Sequence, residues 1–105
     1  MSMLQDTLVS QKNLGMELVR VTEAAALACG RQMGRGDTEE IRRLAAEAMS
    51  QALGSVNMDA EIRVVVGGAR EGETLAPGLR CGQGLGPHVD LAAGPLDGVS
   101  LVARG

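Results

Sequence analysis

The side chains able to do chemistry in this 105-residue chain are few, and they gather in its second half. His88 is the only histidine, and an imidazole is the ordinary proton-transfer group near neutral pH. Cys81 is a nucleophile only if a neighbouring base or positive charge favours its thiolate. Asp90 follows His88 by two residues, and Asp97 lies further along. His88, Asp90, Asp97 and Cys81 are the candidate catalytic residues of any enzyme reading. Each also has a plainer explanation: a lone histidine without a motif is first a solvent-facing loop residue. Gly82-Gln83-Gly84-Leu85-Gly86 begins like a dinucleotide fingerprint but lacks its spacing and a following helix, so it is discounted as a nucleotide site. Cys29 and Cys81 have no CxxC or metal-ligand spacing and read as reduced thiols. Neither a metal nor a cofactor is expected.

Composition excludes whole classes of partner. The net charge is −3, and the arginines are scattered apart from Arg42-Arg43. Nucleic acid needs a basic stripe, and unpaired bases need aromatic platforms; the chain has no aromatic residue. The N-terminus lacks the basic start and apolar run of a signal peptide, and no window is apolar enough to cross a bilayer. A soluble, cytoplasmic protein is expected, with no nucleic acid and no membrane among its partners. A core of Leu, Val, Ile, Met and Ala alone is thin. A partner surface that completes it is therefore expected, most simply a homo-oligomer (a dimer); another protein or a small molecule remains open.

The elements that must position these residues divide the chain. Residues 1–105 read as a single domain, with an N-terminal extension (1–12), a helical half (13–53) and a strand half (60–105). Leu14, Leu18, Val21, Ala25 and Ala28 form one apolar stripe, which predicts a helix over 13–33 stopped by Gly34-Arg35-Gly36. A second helix is expected over 38–53, capped by Asp37, with Glu39 and Glu40 facing its dipole. Its apolar face is Ile41, Leu44, Ala45, Ala48, Met49 and Ala52, and alanine on both helices predicts a close pair. Ile62 to Val66, Leu79 to Cys81, Val89 to Ala93 and Val99 to Ala103 read as strands between glycine-rich turns. The fold class is α/β (α+β): two N-terminal helices on a small mixed or antiparallel sheet. Ile62, Val64 and Val66 are expected to share one apolar face with Val89, Leu91 and Ala93.

Several segments together carry a resemblance: Arg20-Val21-Thr22-Glu23-Ala24-Ala25-Ala26-Leu27-Ala28, Gly34-Arg35-Gly36-Asp37, Glu47-Ala48-Met49 and Val56-Asn57-Met58-Asp59, which run in order without a gap, then Ala76-Pro77, Val89-Asp90-Leu91-Ala92 and Gly94-Pro95-Leu96-Asp97-Gly98. In these the chain resembles the N-terminal part of class II fructose-1,6-bisphosphatases, in truncated and degenerate form. The resemblance implies the helix-on-sheet layer of the sugar-phosphatase fold. It also implies an ancestry in divalent-metal phosphatases whose carboxylates hold the ions. Several of those carboxylates are missing. Arg42 stands where the family has an aspartate on the second helix. Val66-Gly67-Gly68-Ala69-Arg70 stands where its strand ends in Gly-Glu-Gly-Glu. Gly94 and Val99 replace the Asp and Thr of its Asp-Pro-(Ile/Leu)-Glu-Gly-Thr motif, leaving Asp97 as the surviving acid. A degenerate protein without phosphatase activity, acting through self-association or partner binding, follows from these losses. The alternatives are a small repurposed enzyme (isomerase, lyase or cyclase) in a specialised bacterial pathway, or an auxiliary subunit of a full-length bisphosphatase.

Overall fold

The computed structural model describes residues 3–30, 37–86 and 88–102, with side chains from residue 13 onward. Two helices, α1 (Met3–Gly30) and α2 (Thr38–Leu53), precede four strands: β1 (Asp59–Val65), β2 (Arg80–Cys81), β3 (His88–Gly94) and β4 (Gly98–Leu101). The strand order is β2-β1-β3-β4. β1 and β3 are parallel, while β2 and β4 pair antiparallel to them, so the sheet is mixed. This is the expected helix-on-sheet layer.

α1 starts ten residues before the expected position, because Met3 to Lys12 contains neither glycine nor proline to stop it. Its buried stripe is Leu14, Leu18, Val21, Ala25 and Cys29, so the last step is four residues rather than three, and Ala28 is exposed. The expected stop at Gly34-Arg35-Gly36 lies outside the described residues. α2 matches its expected bounds, and the Asp37 carboxylate accepts the Glu40 N–H at 3.1 Å. The Glu40 carboxylate does not complete a capping box; it binds Arg43 instead. Ala25, Ala45 and Ala46 are buried, the small side chains expected of closely packed helices.

Thr22 ties α1 to the sheet edge. Its hydroxyl donates to the Leu18 carbonyl at 3.2 Å and accepts the Val99 N–H at 3.3 Å. The helix-facing side of the sheet is Ala60, Ile62, Val65, Leu91 and Ala93, all buried. The expected face of Ile62, Val64 and Val66 is corrected. A β-bulge between Ile62 and Val64 inserts Arg63 as an extra residue, and an insertion of one residue exchanges the faces beyond it. Ile62 and Val65 therefore point to the helices, while Val64 and Val66 lie on the opposite side, each 49% exposed.

The parallel pairing of β1 and β3 needs a crossover, and here it is made without a helix. After β2 the chain passes beneath the start of β1, where Gln83 N–H bonds the Val56 carbonyl and Gly84 N–H the Met58 carbonyl. Gly82 makes the closest approach. It has φ +89°, and a Cβ there would lie 2.3 Å from the Met58 oxygen. Gly82→Ala should cost roughly 2–4 kcal/mol, from the left-handed backbone and the displaced contact together. Gly72→Ala, also left-handed but with nothing within 4 Å of the added Cβ, should cost about 1–2 kcal/mol. Urea unfolding of the two variants checks the difference, and equal losses would contradict the close approach.

Candidate functional site

The four candidate residues do not converge. Register pairs Cys81 with Ala60, and His88 with Asp59. Adjacent residues of a strand point to opposite faces, so Cys81 faces the core and His88 the open side of the sheet. Burial raises the Cys81 thiol above its ordinary value, which leaves it protonated and a poor nucleophile at neutral pH. Asp90 shares the open face with His88 and sits 3.5 Å from Arg63 Nε. Asp97 lies in the β3–β4 turn, its N–H bonded to the Gly94 carbonyl. That turn is at the other end of β3, about 20 Å of strand from His88.

What His88 does meet is Asp59, which the sequence reading had not singled out. Its Nδ1 is 3.0 Å from Asp59 Oδ2, and Arg80 Nη2 holds the other carboxylate oxygen at 2.8 Å. Glu61, Arg63, Arg80 and Asp90 continue this layer of mixed charge across the open face. His88 first, then Arg80, holds the Asp59 carboxyl below the ordinary aspartate range.

The second site lies at the carboxyl ends of the parallel strands, where open α/β sheets place their ligands. Arg42 projects from α2 and is nine-tenths buried. Its Nη1 donates to Glu73 Oε1 at 2.6 Å and its Nη2 to the Gly68 carbonyl at 2.6 Å. Glu73 Oε2 is buried and has no hydrogen-bond partner among the described residues. Gly67 and Gly68 both take positive φ (82° and 78°). Arg70 folds back on the same turn, donating to the carbonyls of Gly67 (2.9 Å) and Gly68 (3.2 Å), and it pairs with Glu39. Arg70, helped by the more distant charge of Arg42, keeps the Glu39 carboxyl below its ordinary value. Beside this network a cleft of about 740 Å³ runs between α2 and the loop 70–75, with Glu40, Glu47, Glu71 and Glu73 among its walls and Ala46 and Leu75 as apolar contacts. None of His88, Asp90, Asp97 or Cys81 lines it.

The expected apolar face of α2 is corrected here. Of Ile41, Leu44, Ala45, Ala48, Met49 and Ala52 only Ala45 and Met49 are buried, and the core side also takes Arg42, Ala46 and Leu53. Arg42 is therefore a charge at a core position, where an unpaired ion is strongly disfavoured.

The family model for bacterial fructose-1,6-bisphosphatase, glpX-encoded, matches residues 12–105. The chain belongs to this family. It is 42% identical over 92 residues to the class 2 fructose-1,6-bisphosphatase of Haemophilus influenzae, covering 88% of this chain and 28% of that protein. It is 41% identical over 93 residues to fructose-1,6-bisphosphatase 2 class 2 of Escherichia coli, covering 89% of this chain and 29% of the relative. Fructose-1,6-bisphosphatase 1 class 2 of the same organism is 38% identical over 95 residues, covering 90% and 28%. The chain thus spans less than a third of the length of these relatives.

The divalent ion that the resemblance to class II bisphosphatases implies does not fit the residues present. A hard cation takes several oxygen ligands at once. Among the described residues no three His, Cys, Asp or Glu side chains converge to hold one. The carbonyl of Gly68 and one oxygen of Glu73 are already taken by a guanidinium. At Gly94 a Cβ would lie 3.1 Å from the Asp97 side chain and 3.2 Å from Val66, so an acid there would have to displace its neighbours. The loop after β1 does carry acids, Glu71 and Glu73, a few residues beyond the Gly67-Gly68-Ala69 segment. Glu73 serves as the counter-ion of Arg42.

The Asp59 shift has a definite pH sign. A carboxyl held low in the folded state contributes fully above its unfolded value and loses that contribution as pH falls through the depressed one. Carboxyl-carbon NMR should therefore find Asp59 titrating below ordinary aspartates. His88→Ala should move its midpoint upward, and an unchanged midpoint would remove His88 as the main cause.

Proposed function

We propose that this chain is a bisphosphatase-family protein without metal-dependent phosphatase activity, which works by association through the open face of its sheet, most simply as a twofold dimer. The carrying observation is the buried Arg42 guanidinium bonded to Glu73 and Gly68, in the place where metal-dependent chemistry would need a cation. A metal phosphatase needs its ion to polarise the phosphoryl group and to generate hydroxide, and the site offers neither a vacancy nor enough free carboxylates. With Mg²⁺ or Mn²⁺, purified protein should release no phosphate from fructose 1,6-bisphosphate. Release that scales with protein and disappears in Asp97→Ala would reverse this reading.

The open face carries Val64 and Val66 beside alternating charges of both signs. A twofold interface must be complementary to itself, and a face with both signs side by side meets that requirement. Two free thiols suit a reducing compartment such as the cytoplasm. Light scattering coupled to gel filtration should give the mass of a dimer, and Val64→Lys should give a monomer with unchanged circular dichroism. A wild-type monomer at high micromolar concentration would end the dimer reading.

One observation favours a repurposed enzyme instead. Asp59 orients His88 through Nδ1, an arrangement that leaves Nε2 available as a base. Loss of biological output in folded His88→Ala would select that reading over association.

A further inference from the structure

The oxygen atoms at the end of β1 are arranged as a cation site, and the chain fills it from within. The Gly68 carbonyl and Glu73 Oε1 converge on the Arg42 guanidinium at 2.6 Å each. The Gly67 carbonyl is drawn into the same turn by Arg70 at 2.9 Å. Carboxylate and carbonyl oxygens are the donors that hard divalent cations prefer. A guanidinium is weakly hydrated and planar, and it satisfies the same oxygens through directed N–H bonds without needing six of them. Arg42 is buried along the core stripe of α2 and cannot swing out without leaving Glu73 as an uncompensated acid.

We propose that Arg42 is the resident cation of this site. It joins α2 to the loop 67–73 in place of a divalent metal ion, and it keeps the site closed to Mg²⁺ and Mn²⁺. Removing the guanidinium and supplying a carboxylate opens the site: Arg42→Asp leaves the two Glu73 oxygens, the Gly68 carbonyl (still shared with Arg70 at 3.2 Å) and a new acid facing the place the guanidinium held. An aspartate side chain plus a metal–oxygen bond of about 2.1 Å reaches roughly as far from the helix as the guanidinium carbon did. Waters complete the coordination, as is usual for Mg²⁺ and Mn²⁺ bound by few carboxylates. The inference rests on the proposed loss of metal chemistry and deepens it. It is tested by binding and not by hydrolysis, so each can fail separately: phosphate release by the wild type would refute the former, and the results below decide the latter.

The experiment is thermal unfolding of purified protein in EDTA and in millimolar Mn²⁺, with Mn²⁺ binding counted by electron paramagnetic resonance. Wild type should unfold at the same temperature in both and bind no Mn²⁺ at this site. Arg42→Asp should be less stable than wild type in EDTA and should gain roughly 10–20 °C when Mn²⁺ is in about hundredfold excess over its dissociation constant. Arg42→Leu, with no added ligand, should show no Mn²⁺ response. Glu73→Gln in the Arg42→Asp background should abolish it. If Arg42→Asp is unfolded in EDTA, its refolding on Mn²⁺ addition is the same positive result. The proposal is overturned if Mn²⁺ stabilises the wild type, or if Arg42→Asp is indifferent to Mn²⁺, folded or unfolded. It is also overturned if the response survives Glu73→Gln.

Discussion

A charge taken out of water needs a partner in place before the chain can close over it, and in this protein that constraint falls on Arg42. Its guanidinium belongs to the face of α2 that packs into the core, the face that also carries Met49 and Leu53. Burying it alone would cost several kcal/mol. Glu73 and the Gly68 carbonyl supply the compensation. That requirement fixes the course of the chain after β1. The two left-handed glycines turn the Gly68 carbonyl back toward α2, and the next residues must bring Glu73 within reach before Leu75 enters the core. The loop is thereby stitched to the helix at both depths: Arg42 with Glu73 inside, Arg70 with Glu39 at the surface. The surface pair is screened by solvent and contributes little. The inner pair decides where the loop goes.

The other local device with wide consequences is the bulge at Arg63. Without it, β1 would alternate cleanly, and Ile62, Val64 and Val66 would all face the helices. The extra residue hands the core position to Val65 and turns Val64 and Val66 outward. It also frees the Arg63 side chain to bridge Glu61 and Asp90 across the open face. One inserted residue thus turns two valines outward and sets Arg63 between Glu61 and Asp90 on the open face.

The parts legible in the sequence were those set by local periodicity. α2 was readable to its ends because Asp37 caps it and apolar residues recur at helical spacing. Arg20 to Ala28 carries the family resemblance because it does several structural jobs at once. Val21 and Ala25 bury in the core, and Thr22 holds the start of β4. The bulge was not legible: a run of β-branched residues looks the same with or without an extra member, and only pairing with β3 reveals it. The Asp59–His88 contact was hidden for the same reason. The two residues are far apart in sequence, and parallel pairing through a crossover without a helix has no local marker. Arg42 was hidden too. The apolar face expected of α2 ran through Ile41, Ala48 and Ala52, whereas the buried side is turned toward Arg42, Ala46 and Leu53, and its partner comes from a loop whose path only the fold defines.

The location of the ion pair says more about the site than its strength does. Buried ion pairs contribute little net stability compared with apolar residues of the same volume, so stability alone is a weak reason to keep one at this position. The loop after β1 offers a better reason, because its oxygens converge on one point. Its carbonyls and its glutamate already point inward, and an apolar replacement on α2 would strand them without a partner. A guanidinium on the helix meets that need without an ion from solvent. It does so from a core position of α2, so the helix, the inward-facing oxygens and the path of the loop 67–73 are held as one arrangement.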